Sequence, residues 1–211
     1  MDLFLAQFLT VVIVHLLALI SPGPDFVVVS KNSLSHSRKI GIYTALGVAL
    51  GISVHVSYSL LGIGLIISKS IVLFNAIKLL GALYLLYIGY KMIRSKPAQE
   101  NLETASEKPK KSLSVLGAIK NGFLVNALNP KATLFFLALF TQVIDPMTPS
   151  YIKLLYGLEM MLMTFIWFII VSYLFSHTVL RTKLSKAQHA VDKCTGFVLI
   201  LLGLKVMVSS R

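Results

Sequence analysis

Charge is scarce in this sequence. Aspartate, glutamate, lysine and arginine make up only 13% of its 211 residues, while 56% are hydrophobic. A soluble domain is about 25% charged, so a chain this poor in charge cannot clothe a globular surface and is expected in a bilayer. The one cysteine, Cys194, excludes an internal disulfide, and no cysteine and histidine cluster has zinc-site spacing, so neither a metal nor a cofactor is expected. The sequence also lacks a Walker sequence, a phosphate-cradling glycine loop and a serine, histidine and acid set. That speaks against an enzyme, and any transport must draw on an ion gradient. The opening MDLFLAQFLT has no basic n-region or small-residue cleavage site, so the first apolar run is expected to stay in the mature chain. A net charge of +12 does not imply nucleic acid, because the basic residues flank apolar runs and are not interleaved with polar faces.

What is abundant is apolar sequence in long runs. A helix crosses the ~30 Å hydrocarbon core in about 20 residues, and six segments qualify: roughly 3–31, 40–67, 70–92, 114–144, 150–180 and 190–208. The one long polar stretch, RSKPAQENLETASEKPKKS from Arg94 to Ser112, divides the chain into a first three-helix unit at 1–93, a linker at 94–112 and a second unit at 113–211. If all six segments cross, one side holds fourteen lysines and arginines and the other five, with Lys131 set aside as intramembrane. The positive-inside rule then puts the 94–112 loop in the cytoplasm and both termini outside.

The two units resemble each other. IKLLGALYLLYIGYKM, from Ile77, and DKCTGFVLILLGLKVM, from Asp192, share the order Lys, Gly, Gly, Lys. These glycines read as close-packing points between helices and serve here as repeat markers. If span three matches span six, span one should match span four, and both are interrupted: ISPGPDFVVVSKN from Ile20 and FLVNALNPKATLFF from Phe123. A proline in a helix interior removes a hydrogen bond and costs about 3 kcal/mol. In lipid the freed carbonyls need partners, so such breaks persist where protein or a wet cavity surrounds them. Matched breaks in two repeats point to a transporter's central site. The expected fold is therefore an all-α membrane protein of six transmembrane helices, arranged as two inverted three-helix repeats with helices one and four broken.

Each break carries a charge after its proline. Asp25 follows Pro24 and Lys131 follows Pro130, and an ionised group at mid-bilayer costs about 2.5–3.5 kcal/mol, so such groups face the bundle interior and pair. The two are expected to line one cavity, where half-helix ends help to hold the ammonium and carboxylate of a zwitterion. The alternative for Lys131 is to snorkel to an interface.

At these motifs the chain resembles the LysE/RhtB family of bacterial amino-acid exporters. SPGPDF, GIYTALGVALG, KLLGALYLLYIGYKMIRS and GFLVNALNPKATLFFLALFTQ carry the likeness, which covers nearly the whole chain in order. It implies a multi-pass protein of the bacterial inner membrane that exports amino acids or their derivatives in exchange for protons. Substrate contacts are then expected at Pro22, Gly23, Pro24, Asp25, Asn129, Pro130, Lys131 and Gln142. The chain departs from the pattern at Thr141, where many members place proline, and at Ile52 and Ser53, where some place an aspartate.

His15 lies two helical turns before Pro22 and can face the same cavity, and His55 sits in a polar patch with Ser53, Ser57 and Ser59. Both join Asp25 as candidates for proton coupling, although a neutral histidine bonded to a neighbouring helix is the commoner fate. Glu159 reads as an interfacial anchor, and Tyr84, Tyr87 and Tyr90 as helix packing. Small-molecule substrate, protons and lipid are the expected partners, with a homodimer also compatible with the glycine-rich faces. Two rival readings stay open: a cation or metal exporter on the same fold, and a membrane accessory protein with no transport cycle.

Overall fold

A computed structural model describes residues 2–21, 23–94, 113–145, 147–175, 193–204 and 207. Pro22, the linker beyond Arg94, the segment 176–192 and the C-terminal tail lie outside the described residues, as does the side chain of Gln142. The described residues are helical, without strands. In chain order the helices are α1 (Asp2–Ile20), α2 (Pro24–Ser35), α3 (Arg38–Lys69), α4 (Ile71–Ile93), α5 (Val115–Ala127), α6 (Pro130–Gln142) and α7 (Ser150–Phe175), followed by the shorter α8 (Lys193–Leu204).

Among the described residues three stretches are long and apolar enough to cross a membrane: Arg38–Leu61, Asn75–Ile93 and Ser150–Phe175. The count reaches five if each bent pair is one span, α1 with α2 at 55° and α5 with α6 at 57°. Both bends fall where the sequence places its prolines. Pro24 and Pro130 each open the helix after the break, where proline has no intrahelical donor to lose. Between the breaks, serine caps define other starts: Ser70 accepts from the Leu73 amide and Ser114 from the Gly117 amide.

Helix α3 lies at the centre of the bundle. It packs on α5 so closely that a Cβ on Gly47 would strike the Ile119 carbonyl, and one on Gly122 the Thr44 carbonyl. Against α7 it runs antiparallel, with Val56 on Gly157 at one end and Arg38 over the Tyr173 ring at the other. Helices α4 and α8 are also antiparallel, with Gly89 against Gly196 and Ala82 against Gly203. These glycines mark helix packing. Two larger apolar clusters, around Phe136 and Met160 and around Phe168 and Phe175, fill the space between α3 and the bent pairs.

Candidate functional site

The two breaks meet. Asp25, in the first turn of α2, accepts hydrogen bonds on Oδ2 from the side-chain amides of Asn126 at 3.0 Å and Asn129 at 3.2 Å. Lys131, in the first turn of α6, donates from Nζ to the Ser21 carbonyl at 3.3 Å and to Ser21 Oγ at 3.0 Å. Each break's charge is thus held by polar groups of the other break. The second oxygen of Asp25 is buried without a hydrogen-bond partner, and the ammonium acts on this carboxylate electrostatically.

The carbonyl freed at the second break finds other donors. Pro130 has no N–H for the Asn126 carbonyl four residues before it. That oxygen accepts instead from the Asn129 amide at 2.9 Å and pairs with His55 Nε2 at 2.9 Å. At the first break the Leu17 carbonyl keeps its helical bond from the Ser21 amide at 3.3 Å and also accepts from the Thr195 hydroxyl of α8 at 3.2 Å. Asn129 caps α6 by accepting from the Lys131 amide at 3.0 Å, whereas α2 starts at Gly23 without a side-chain cap.

A cavity of about 60 Å³ lies between the breaks, lined by Ser21, Gly23, Asp25, Asn126, Asn129 and Lys131 on its polar wall and by Phe135, Phe136 and Phe168 among its apolar residues. That is room for a few waters. His15 and Thr164 line the same cavity. Their polar atoms are 3.5 Å apart through His15 Nε2, and His15 Nδ1 is buried with no partner. A second, larger cavity of about 510 Å³ is lined by Pro24, Tyr84, Tyr87, Lys91, Pro130 and Leu134. It shares Ser21, Gly23 and Lys131 with the first, so the Lys131 to Ser21 bonds form part of the partition between them.

Of the residues singled out from the sequence, Gly23, Asp25, Asn129, Lys131 and His15 come together in the inner cavity, and Pro24 and Pro130 face the outer one. His55 lines neither; it is buried at the second break. Phe140 packs in the core and Thr141 bonds back to the Leu137 carbonyl. Gln142 ends α6. Tyr84 and Tyr87 line the outer cavity, beyond the packing role expected of them. Glu159 has one carboxylate oxygen buried without a partner, and it lines neither cavity. Among the described residues no group of three histidine, cysteine, aspartate or glutamate side chains could hold a metal ion.

Sequence reasoning passed over Ser21, Asn126, Tyr58 and Thr164. For Asn126 a signal existed: it stands four residues before Pro130, the position whose carbonyl a proline releases. Gly51 also leaves room for it, since a Cβ there would meet Asn126 Oδ1 at 2.6 Å. Ser21, just after α1, and Tyr58 and Thr164, within apolar helices, are ordinary uncharged residues, and only the assembled bundle gives them partners.

The model of the LysE type translocator family matches residues 16–210. The chain is 32% identical over 207 residues to the threonine efflux protein of Escherichia coli strain K12, covering 97% of this chain and 99% of that one. It is 32% identical over 197 residues to the uncharacterized membrane protein YrhP of Bacillus subtilis strain 168, covering 90% and 93%. To an uncharacterized membrane protein of Haemophilus influenzae it is 30% identical over 195 residues, covering 92% and 93%. No solved structure matches.

Proposed function

Because the chain belongs to the LysE type translocator family, a family of transporters and not of enzymes, we propose that this multi-pass bacterial membrane protein is a proton-coupled exporter of small zwitterionic amino acids. It works in the inner membrane. The observation that carries the substrate class is the pairing of opposite charges in one cavity: the open oxygen of Asp25 receives the substrate ammonium, and Lys131 with the uncapped start of α2 receives the carboxylate. A side-chain hydroxyl would satisfy the buried Nδ1 of His15 beside Thr164. The relative named for threonine efflux favours threonine as the first substrate to test.

The fold that serves this cycle is six spans in two inverted repeats, at 1–93 and 113–211. What supports it is that corresponding helices pack antiparallel: α3 on α7, α4 on α8, and one break against the other. Rocking one repeat against the other would open the partition at Lys131 and Ser21. A cation or metal exporter is disfavoured by that ammonium in the cavity. The direct test loads cells with labelled threonine and a panel of other amino acids and follows efflux with and without an uncoupler. Retention equal to a vector control for every compound would refute the exporter reading.

A further inference from the structure

His55 and Tyr58 sit one turn apart on α3 and reach both sides of the second break. His55 Nε2 lies 2.9 Å from the Asn126 carbonyl on α5, His55 Nδ1 lies 2.9 Å from the Tyr58 hydroxyl, and that hydroxyl donates to the Thr133 carbonyl on α6 at 3.0 Å. Counting protons decides what this arrangement means. Both carbonyls only accept, so Nε2 must carry a proton and so must the phenol. Tyr58 has one proton. If it goes to Thr133, the contact with Nδ1 needs a second ring proton; if it goes to Nδ1, the Thr133 carbonyl loses its donor.

We propose that His55 and Tyr58 form the proton site of the transport cycle, with Tyr58 bound to Thr133 when the ring carries two protons and turned back onto Nδ1 when it carries one. When the Nδ1 proton leaves to water, the phenol rotates, and α3 loses this hydrogen bond to α6 while keeping the one to α5. Protonation therefore changes which halves of the broken span are strapped together. Phe136 stacks on the ring at 5.3 Å and 16°, a face that favours a cation.

The surroundings connect this site to substrate. Asn126 bonds His55 through its carbonyl and Asp25 through its side-chain amide. An ammonium placed on Asp25 cancels the negative charge that Asn126 links to the ring, so substrate and the second ring proton disfavour each other, and by linkage each expels the other. That is the relation an exchanger requires. Other charged or titratable groups on the surrounding helices include Lys131 on α6, His15 on α1 across Phe136, Lys153, Tyr156 and Glu159 on α7, and Lys120 on α5, which is exposed. None of them replaces the contact with Tyr58.

The inference rests on the exporter reading, and the test separates the two. Purified protein in liposomes is assayed with labelled threonine for counterflow, which needs no net proton movement, and for accumulation driven by a pH gradient. A wild-type protein without counterflow for threonine or any other amino acid would overturn the exporter reading itself. His55→Gln keeps a donor for Asn126 and an acceptor for Tyr58 but cannot take a second proton. It should retain counterflow, while the stimulation by the gradient, about 5-fold or more for a typical coupling, disappears. Gradient-driven accumulation equal to wild type, or loss of both activities at normal abundance, would overturn the proposal. Should His55→Gln not insert, Tyr58→Phe decides: the pH midpoint of transport moves to the acid side by about one unit if the phenol holds the charged ring, given the strength of charge-assisted hydrogen bonds, and an unchanged midpoint refutes the assignment.

Discussion

At the scale of single residues, the site rests on two charges whose partners come from the opposite break. Asp25→Asn keeps an acceptor for Asn126 and Asn129 and removes only the charge, so it should abolish efflux while membrane abundance stays normal; activity near wild type would remove Asp25 from the site. Lys131→Met strips a buried carboxylate of its nearest cation, and breaking such a pair costs about 3–5 kcal/mol. Abundance after gentle heating in detergent should therefore fall more for Lys131→Met than for the double variant Asp25→Asn with Lys131→Met. Simple additivity would show that the charges do not share an environment. Gly23 offers a quieter probe. A Cβ there would sit 3.5 Å from the Lys131 chain, ordinary contact, so Gly23→Ala should fold normally and yet narrow the cavity, raising the substrate concentration for half-maximal efflux. An unchanged value would place substrate elsewhere. Asp25 and Lys131 were legible in the sequence because a charge inside an apolar run is costly and conspicuous. Asn126 was legible only through its place four residues before Pro130, and Ser21 was not, because its role follows from contacts that only the assembled bundle makes.

At the scale of helices, the breaks were legible and the packing that holds them was only half so. Proline chemistry predicts where α1 gives way to α2 and α5 to α6, since the ring removes a donor wherever it sits. Around the bends, backbone carbonyls accept from donors on α3, α6 and α8, distant in sequence. The glycines of α4 and α8 announced themselves by repetition. The tighter approach, of α3 on α5 through Gly47 and Gly122, had an unused signal, since Gly47 and Gly51 stand four apart in GVALG, the small-residue spacing of close helix packing. It carries a prediction: Gly47→Ala or Gly122→Ala pushes a methyl group into a backbone carbonyl of the neighbouring helix and should destabilise the protein by about 1–3 kcal/mol, the usual cost of overpacking. Gly117→Ala meets only the movable Leu113 and Ser114 side chains at 3.1 Å and should melt near wild type. Equal melting temperatures for all three would mean that α3 and α5 have room to part.

At the scale of the whole molecule, function turns on how many times each half crosses the membrane. Inverted repeats require an odd number of spans per half, and the second half meets that requirement only if α8, the shortest apolar helix described, crosses as well as the α5 and α6 pair and α7. The chemistry of the site supports crossing, because Thr195 of α8 supplies the donor for the Leu17 carbonyl at the first break, deep in the bundle. The count can be read from sidedness. Cys194 is exposed, so Cys194→Ser comes first, and single cysteines are then introduced by Ser106→Cys in the linker and Ser210→Cys at the C-terminus. An impermeant thiol reagent added to intact spheroplasts should label the Ser210→Cys variant at once and the Ser106→Cys variant only after permeabilisation, as the basic-residue asymmetry predicts. The reverse pattern would keep three crossings and overturn the orientation. Labelling of both variants from one side would leave an even number of crossings between them. The second half would then lack a counterpart to one span of the first, and the reading of six spans in two three-span repeats would fall.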